Sequence, residues 1–177
     1  PYNRLPFLTA VGNHDLGKNQ DLTLYREIFG PDYYAFRLQD HYFIVVNTVE
    51  PDGVGEVQWR WLEKELKQSQ SCRTRLVFFH TPLFDPRGGD QRHCLPDAAG
   101  RRLAALFRQY RVSRIFAGHI HSYFSGDWGG VPYTITGGAG APLYGTDPNH
   151  FFHHYLKVTL QEGEVDIEVK RIKTAGD

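Results

Sequence analysis

Methionine is absent from the 177 residues, and cysteine is nearly so, with only Cys72 and Cys94. The chain starts Pro1-Tyr2-Asn3, without an initiator residue, so the expectation is a processed or cut piece of a longer polypeptide. Two cysteines make neither a disulfide framework nor a Cys-x-x-Cys metal clamp; one disulfide and two free thiols are equally compatible with them, and no compartment is read from them. Net charge is also missing, because 20 basic residues balance 20 acidic ones. A neutral chain without a basic and aromatic stripe offers no track for nucleic acid. No apolar run approaches the roughly 18–20 residues that span a bilayer, so no membrane segment is expected. No charged segment followed by an apolar one opens the chain as a signal peptide would. Internal repeats and low-complexity stretches are lacking.

What is present is a foldable chain. The 41% apolar and 14% aromatic content excludes disorder, and 177 residues suit one domain or part of a larger one. Leu5 to Val11 reads as a buried strand that runs into a tight turn at Gly12-Asn13. Asp21 to Phe29 reads as a short helix stopped by Gly30-Pro31. Tyr33–Leu38 and Tyr42–Asn47 are β-rich runs joined as a hairpin. Gly55–Gln68 is helical, with Trp59, Leu62 and Leu66 on one face. Arg75–Phe79 is an apolar strand stopped by His80-Thr81-Pro82. A second helix, capped by Asp97, runs to Tyr110, and Ser113–Ala117 is a strand ending at Gly118-His119. Four β runs follow, at Tyr123–Trp128, Val131–Thr136, Tyr155–Leu160 and Val165–Ile172, with a turn at Glu162-Gly163. A long loop, Gly137 to His154, separates the second from the third; loops of that length in compact domains are usually functional or mobile.

Three apolar strands therefore end in polar turns that carry imidazoles, and ligand sites in α/β folds gather at strand ends. Gly12-Asn13-His14-Asp15 supplies an amide oxygen, an imidazole and a carboxylate. His80 adds an imidazole whose backbone is fixed just beyond it by Pro82. Gly118-His119-Ile120-His121 places two imidazoles two residues apart, a spacing that serves one metal or two adjacent ones. Imidazole together with amide or carboxylate oxygen suits Zn²⁺, Mn²⁺ or Fe rather than Ca²⁺ or Cu(I).

These three blocks, in this order, resemble the calcineurin-like metallophosphoesterase superfamily, and in particular its purple-acid-phosphatase-like bacterial members. The resemblance covers nearly the whole chain; Tyr34-Ala35-Phe36, Phe43 to Thr48, the Gln58-Trp59 helix and Gly137 to Leu143 agree with it. It implies an α/β sandwich of two mixed β-sheets flanked by helices. It also implies a hydrolase of phosphoesters, monoesters first and diesters or nucleotides close behind. In such an enzyme two cations (Mn, Zn or Fe) clamp the phosphate oxygens while water attacks phosphorus. By the same resemblance Asn13, His80 and His119 bind one metal and His121 the other. His14 stabilises the phosphate and protonates the leaving oxygen, and Asp15 orients His14.

The chain departs from the family pattern at one end. The family places Asp-x-His and Gly-Asp-x-x-Asp before the Gly-Asn-His-Asp block, and these supply the remaining ligands and the bridging carboxylate. No Asp-x-His occurs here, none of residues 1–14 is Asp or Glu, and Gly89-Asp90 and Gly126-Asp127 lie in the wrong order. Residues 1–177 are therefore read as a single, N-terminally truncated domain that holds at most one metal well and hydrolyses phosphate esters poorly. Missing interior strands should leave a sheet edge and apolar surface open, which a homodimer or a swap could cover. The rival reading is a non-catalytic scaffold or interaction module with the same fold. Other polar residues receive structural readings. His150, His153 and His154 belong to a solvated or structural loop, and Asp85, Arg87 and Asp90 to a solvated loop with pocket shaping second. His93 and Cys94 lack a partner pair for zinc. Tyr123, Trp59 and Trp61 are packing residues, and Lys170, Arg171 and Lys173 form a solvated strand face.

Overall fold

A computed structural model describes residues 5–19, 21–50, 53–89 and 92–172. Among the described residues, three α-helices, α1 (Thr23–Phe29), α2 (Glu56–Gln68) and α3 (Asp97–Gln109), accompany eight strands. These are β1 (Tyr34–Leu38), β2 (His41–Val45), β3 (Thr74–Phe79), β4 (Arg114–Ala117), β5 (Tyr123–Asp127), β6 (Pro132–Thr136), β7 (His154–Gln161) and β8 (Glu164–Arg171). Six strands form one mixed sheet in the order β1-β2-β3-β4-β6-β5, and β7 and β8 pair as a second, antiparallel sheet. Strands β2, β3, β4 and β6 run parallel, and β1 and β5 flank them antiparallel. The architecture is the expected α/β sandwich of two β-sheets flanked by helices.

Parallel strands need both faces covered, which is why β3 and β4 are almost wholly apolar. Ile44, Val77, Phe79, Ile115 and Ile135 point to one face and join Leu62 and Leu66 of α2 and Leu103 and Phe107 of α3 in one core. Each such fully buried side chain contributes about 1.5–3 kcal/mol of burial. On the opposite face the alternate residues form an aromatic ladder. Phe36 stacks on Phe43 with ring centres 4.7 Å apart, and Phe78 on Phe116 at 5.0 Å. Both cysteines are free thiols.

Two expectations are corrected here. Leu5 to Val11 is not a strand: it lies in no sheet of the described residues, with Leu5, Phe7 and Leu8 exposed and only Val11 fully buried. An apolar run becomes a strand only where a neighbour accepts its backbone groups. This one is held instead by side chains: the Tyr34 hydroxyl donates to Thr9 O at 2.8 Å, Thr9 Oγ1 and the Tyr25 hydroxyl lie 2.7 Å apart, and Val11 packs on Leu22 and Tyr25. Asp97 does not cap α3. It is the first helical residue, after Pro96, and pairs with Arg101 one turn on. Asp90 and Lys173 lie outside the described residues.

A buried polar network fixes the loop that leaves β2. Asp32 accepts from Arg26 Nε at 2.7 Å and from Asn47 Nδ2 at 2.8 Å. Asn47 and Gln58 exchange two further hydrogen bonds, N–H to Oε1 at 2.8 Å and Nε2–H to O at 3.0 Å. The next residue, Thr48, accepts the Thr81 N–H at 2.9 Å, beside His80. Burial alone would raise the Asp32 carboxyl, but the hydrogen bonds from Arg26 and Asn47 outweigh it and hold it below the ordinary range. A lowered native value contributes stability above the unfolded pKa of about 3.9, and that contribution is lost as pH falls through the native value. Asp32→Asn should therefore cost about 1–3 kcal/mol at pH 7 and progressively less toward pH 3. Denaturant unfolding of both proteins across that range checks this; a penalty unchanged with pH would contradict it.

Candidate functional site

The C-terminal ends of the parallel strands β2, β3, β4 and β6 lead into Asn47–Val49, His80, Gly118–His121 and the Gly137 loop. The Gly118 N–H donates to His80 O at 3.0 Å and locks the two strand ends side by side. Beyond β4 the backbone turns sharply: Ile120 N–H bonds to Gly118 O at 2.7 Å, and Ser122 N–H to Ile120 O at 2.7 Å. His119, at the apex of the first turn, has φ 64°, a left-handed conformation that a non-glycine residue adopts at a cost and that clusters at functional sites. Ile120, 2% exposed, anchors the turn in the core and leaves the flanking imidazoles outside it.

Three side-chain atoms converge here. His80 Nε2 lies 2.7 Å from Asn13 Oδ1 and 3.0 Å from His119 Nδ1, and His119 Nδ1 lies 3.2 Å from Asn13 Oδ1. Asn13 sits on a short 3-10 turn, Asn13–Asp15, closed by the Asp15 N–H to Gly12 O at 3.0 Å and by the Gly12 N–H to Asp15 Oδ2 at 2.8 Å. The Asp15 carboxylate is thus engaged with its own turn, and its charge also acts on His80. His14 stands exposed on the same turn, and its charge is felt by both His80 and His119.

Burial, then the neighbouring His119, pushes the His80 imidazole down to about 4, against a smaller opposing pull from Asp15. His119 is lowered too, by burial first and then by His93 and His121. Both rings are therefore neutral at physiological pH and carry one lone pair each. The donor set can hold a metal ion: ligand atoms bonded at about 2.0–2.1 Å stand roughly 2.9–3.4 Å from one another, close to the contacts seen. It is a set of two imidazoles and an amide. Among the described residues, no group of three or more His, Cys, Asp or Glu side chains is placed to hold a metal.

His121 lies beyond this trio but within electrostatic reach of His119. Its Nδ1–H donates to Pro142 O at 2.8 Å, which leaves the Nε2 lone pair outward. Its ring stacks on Tyr144, centres 5.2 Å apart at 21°. The Gly137–His154 loop is pinned by histidines that serve structure. His150 Nδ1–H bonds Tyr123 O at 2.8 Å, and fully buried His154 bonds Phe152 O at 2.9 Å and Thr136 Oγ1 at 3.1 Å. Tyr123 packs against Phe152 and His154.

Sequence reasoning set His93 aside for want of a zinc partner pair, and the structure brings it beside His119. The Leu95 N–H bonds Pro82 O at 2.9 Å, and the His93 ring stands 5.9 Å from that of His119. No local pattern around His93 signals this closure. In the same loop, buried Asp85 holds Arg87 side-on, with contacts of 2.9 Å and 2.6 Å, and the Arg87 charge reaches His119.

Gly12 has a steric reason. A Cβ there would lie 2.9 Å from His80 Nδ1, although its backbone (φ −113°, ψ 169°) suits any residue. Gly12→Ala should keep the fold, displace the His80 ring toward water, and raise its titration midpoint from about 4 toward the ordinary imidazole range. An NMR titration of the His80 ring protons checks this; an unmoved midpoint in a folded variant would contradict it.

Comparison with known proteins bears on this arrangement. The family model described as calcineurin-like phosphoesterase matches residues 1–123. The bovine (Bos taurus) serine/threonine-protein phosphatase CPPED1 is 25% identical over 173 residues, covering 90% of this chain and 53% of the relative. The soybean (Glycine max) purple acid phosphatase is 29% identical over 158 residues, covering 78% and 33%. Among solved structures, the yellow lupin (Lupinus luteus) purple acid phosphatase PPD1 superposes with a TM-score of 0.64 at 20% identity, over 80% of this chain and 30% of that one. The chain thus spans about half or less of the length of these relatives. With more than half its length matched by that family model and Asn13 brought onto His80 and His119 at the ends of β3 and β4, the chain belongs to the calcineurin-like phosphoesterase family, with purple acid phosphatases among its relatives.

Proposed function

We propose that the protein to which this chain belongs hydrolyses phosphoester bonds with metal assistance. Phosphomonoesters are the first choice of substrate and phosphodiesters or nucleotides the second. The observation that carries this reading is the convergence of Asn13 Oδ1, His80 Nε2 and His119 Nδ1 within 3.2 Å of one another on neutral rings. The names of the relatives, a serine/threonine-protein phosphatase and a purple acid phosphatase, support the reaction class.

In this reading Asn13, His80 and His119 hold one metal, and His121 offers Nε2 toward a second. When bound, such ions polarise the phosphate oxygens and lower the pKa of the attacking water. The chain's own contribution is positioning and proton transfer. His14, exposed beside the trio, hydrogen-bonds the phosphate and gives a proton to the departing oxygen. Asp15 sets the turn that aims His14. Arg87, held by Asp85, adds positive potential on the His119 side. Three protein ligands stand on one side and one on the other, without a bridging carboxylate among residues 1–14. We therefore assign residues 1–177 one incomplete domain that retains at most one metal well.

A second reading, a scaffold with an incomplete centre, is favoured by the lack of a carboxylate-bearing metal group among the described residues. Two measurements separate the readings. Native mass spectrometry after Zn²⁺ or Mn²⁺ loading should retain one metal per chain, and two tightly held metals would contradict the assignment. Hydrolysis of p-nitrophenyl phosphate should be weak in this chain and at least about 100-fold faster in a polypeptide extended to include Asp-x-His and Gly-Asp-x-x-Asp. That factor corresponds to about 2.7 kcal/mol of transition-state stabilisation. Inactivity of the extended polypeptide despite metal binding would favour the scaffold.

A further inference from the structure

The Gly137–His154 loop presses directly on the turn that carries His119 and His121. A Cβ at Gly137 would stand 2.2 Å from Ile120 O, so only glycine admits this approach. Five residues on, Pro142 O takes the His121 Nδ1–H. Tyr144 then lays its ring against the His121 imidazole at 21°. The next residue, Gly145, lies flat beneath Phe151, where a Cβ would come within 2.3 Å of the ring. Phe151 in turn packs on Phe124, and its N–H bonds Asp147 O at 2.8 Å. The loop is thus fixed on both sides of Tyr144, yet Tyr144 is 74% exposed.

This arrangement gives the site two unlike rims. On the His119 side stand His93 and the Arg87–Asp85 ion pair, which are polar. On the His121 side stands one face of a phenol ring, with its other face already engaged by an imidazole. Rigid aromatic side chains with an open face stack on planar groups at small entropic cost. We infer that Tyr144 is a specificity-determining residue that receives the organic part of the substrate, and that the preferred substrates are phosphate esters of a planar aromatic group. The phosphate sits over the imidazoles and the aryl group lies along Tyr144. This inference rests on the phosphohydrolase reading and names the substrate class for it.

Binding of phosphonates, which cannot be hydrolysed, tests it without any need for turnover. Affinities of the Zn²⁺-loaded chain for phenylphosphonate and methylphosphonate are measured by calorimetry or NMR. Phenylphosphonate should bind about 3- to 10-fold more tightly, the size of one aromatic stack. Tyr144→Ala should erase that ratio while leaving methylphosphonate affinity unchanged, and Tyr144→Phe should keep it. A ratio that survives in Tyr144→Ala, or equal affinities in the parent chain, overturns the inference and leaves the phosphate site standing. Equal weakening of both ligands in Tyr144→Ala also overturns it, because Tyr144 would then only support His121. If neither phosphonate binds the Zn²⁺-loaded chain, this inference is overturned, while the phosphohydrolase reading is decided separately by turnover of p-nitrophenyl phosphate in the extended polypeptide.

Discussion

Two imidazole nitrogens 3.0 Å apart, both within 3.2 Å of a single amide oxygen, cannot all be satisfied by their own protons. At least one ring nitrogen faces its neighbour with a bare lone pair, and burial keeps both rings neutral. Such a cluster is uncomfortable unless a cation occupies its focus. The surrounding structure is organised around tolerating that crowding.

The tolerance is built in layers. A parallel sheet brings His80 and His119 to neighbouring strand ends, where the Gly118 N–H to His80 O bond sets their spacing. The left-handed backbone at His119 aims Nδ1 at Nε2 of His80, and buried Ile120 holds the turn against recoil. Gly12 supplies the space beside the His80 ring. Farther out, the Arg26–Asp32–Asn47–Gln58 network fixes the β2 loop, and Thr48 passes that order to Thr81. The energy of these hydrogen bonds thus reaches the site through a short physical chain.

Much of this was legible in the sequence, because apolar periodicity and turn residues act locally. The β1–β2 hairpin, the α2 helix and the β7–β8 hairpin follow from alternation and from turn positions such as Gln39-Asp40 and Glu162-Gly163. The His80 and Gly118–His121 blocks announced the ends of β3 and β4 for the same reason. Leu5–Val11 was misread because pairing depends on a neighbour that no local pattern encodes. His93 was set aside for want of a zinc partner pair and Tyr144 was not singled out, because each reaches the site through a loop closure, one by Leu95 N–H to Pro82 O and the other by His121 to Pro142 O. Asp15 was read as orienting His14, and one oxygen of its carboxylate accepts from the Gly12 N–H and closes the turn that carries His14.

Membership of the calcineurin-like phosphoesterase family accounts for the fold, and the donor cluster accounts for the proposed chemistry. The claim that joins them is that the two rings use opposite nitrogens toward one ion. Long-range ¹H–¹⁵N correlation of the histidine rings during Zn²⁺ titration reads this directly. The account predicts that coordination appears at Nε2 of His80 and Nδ1 of His119 together, at a single equivalent of metal. Coordination at the other nitrogens, or at the loop histidines His150 and His153 with His80 and His119 unchanged, would contradict it.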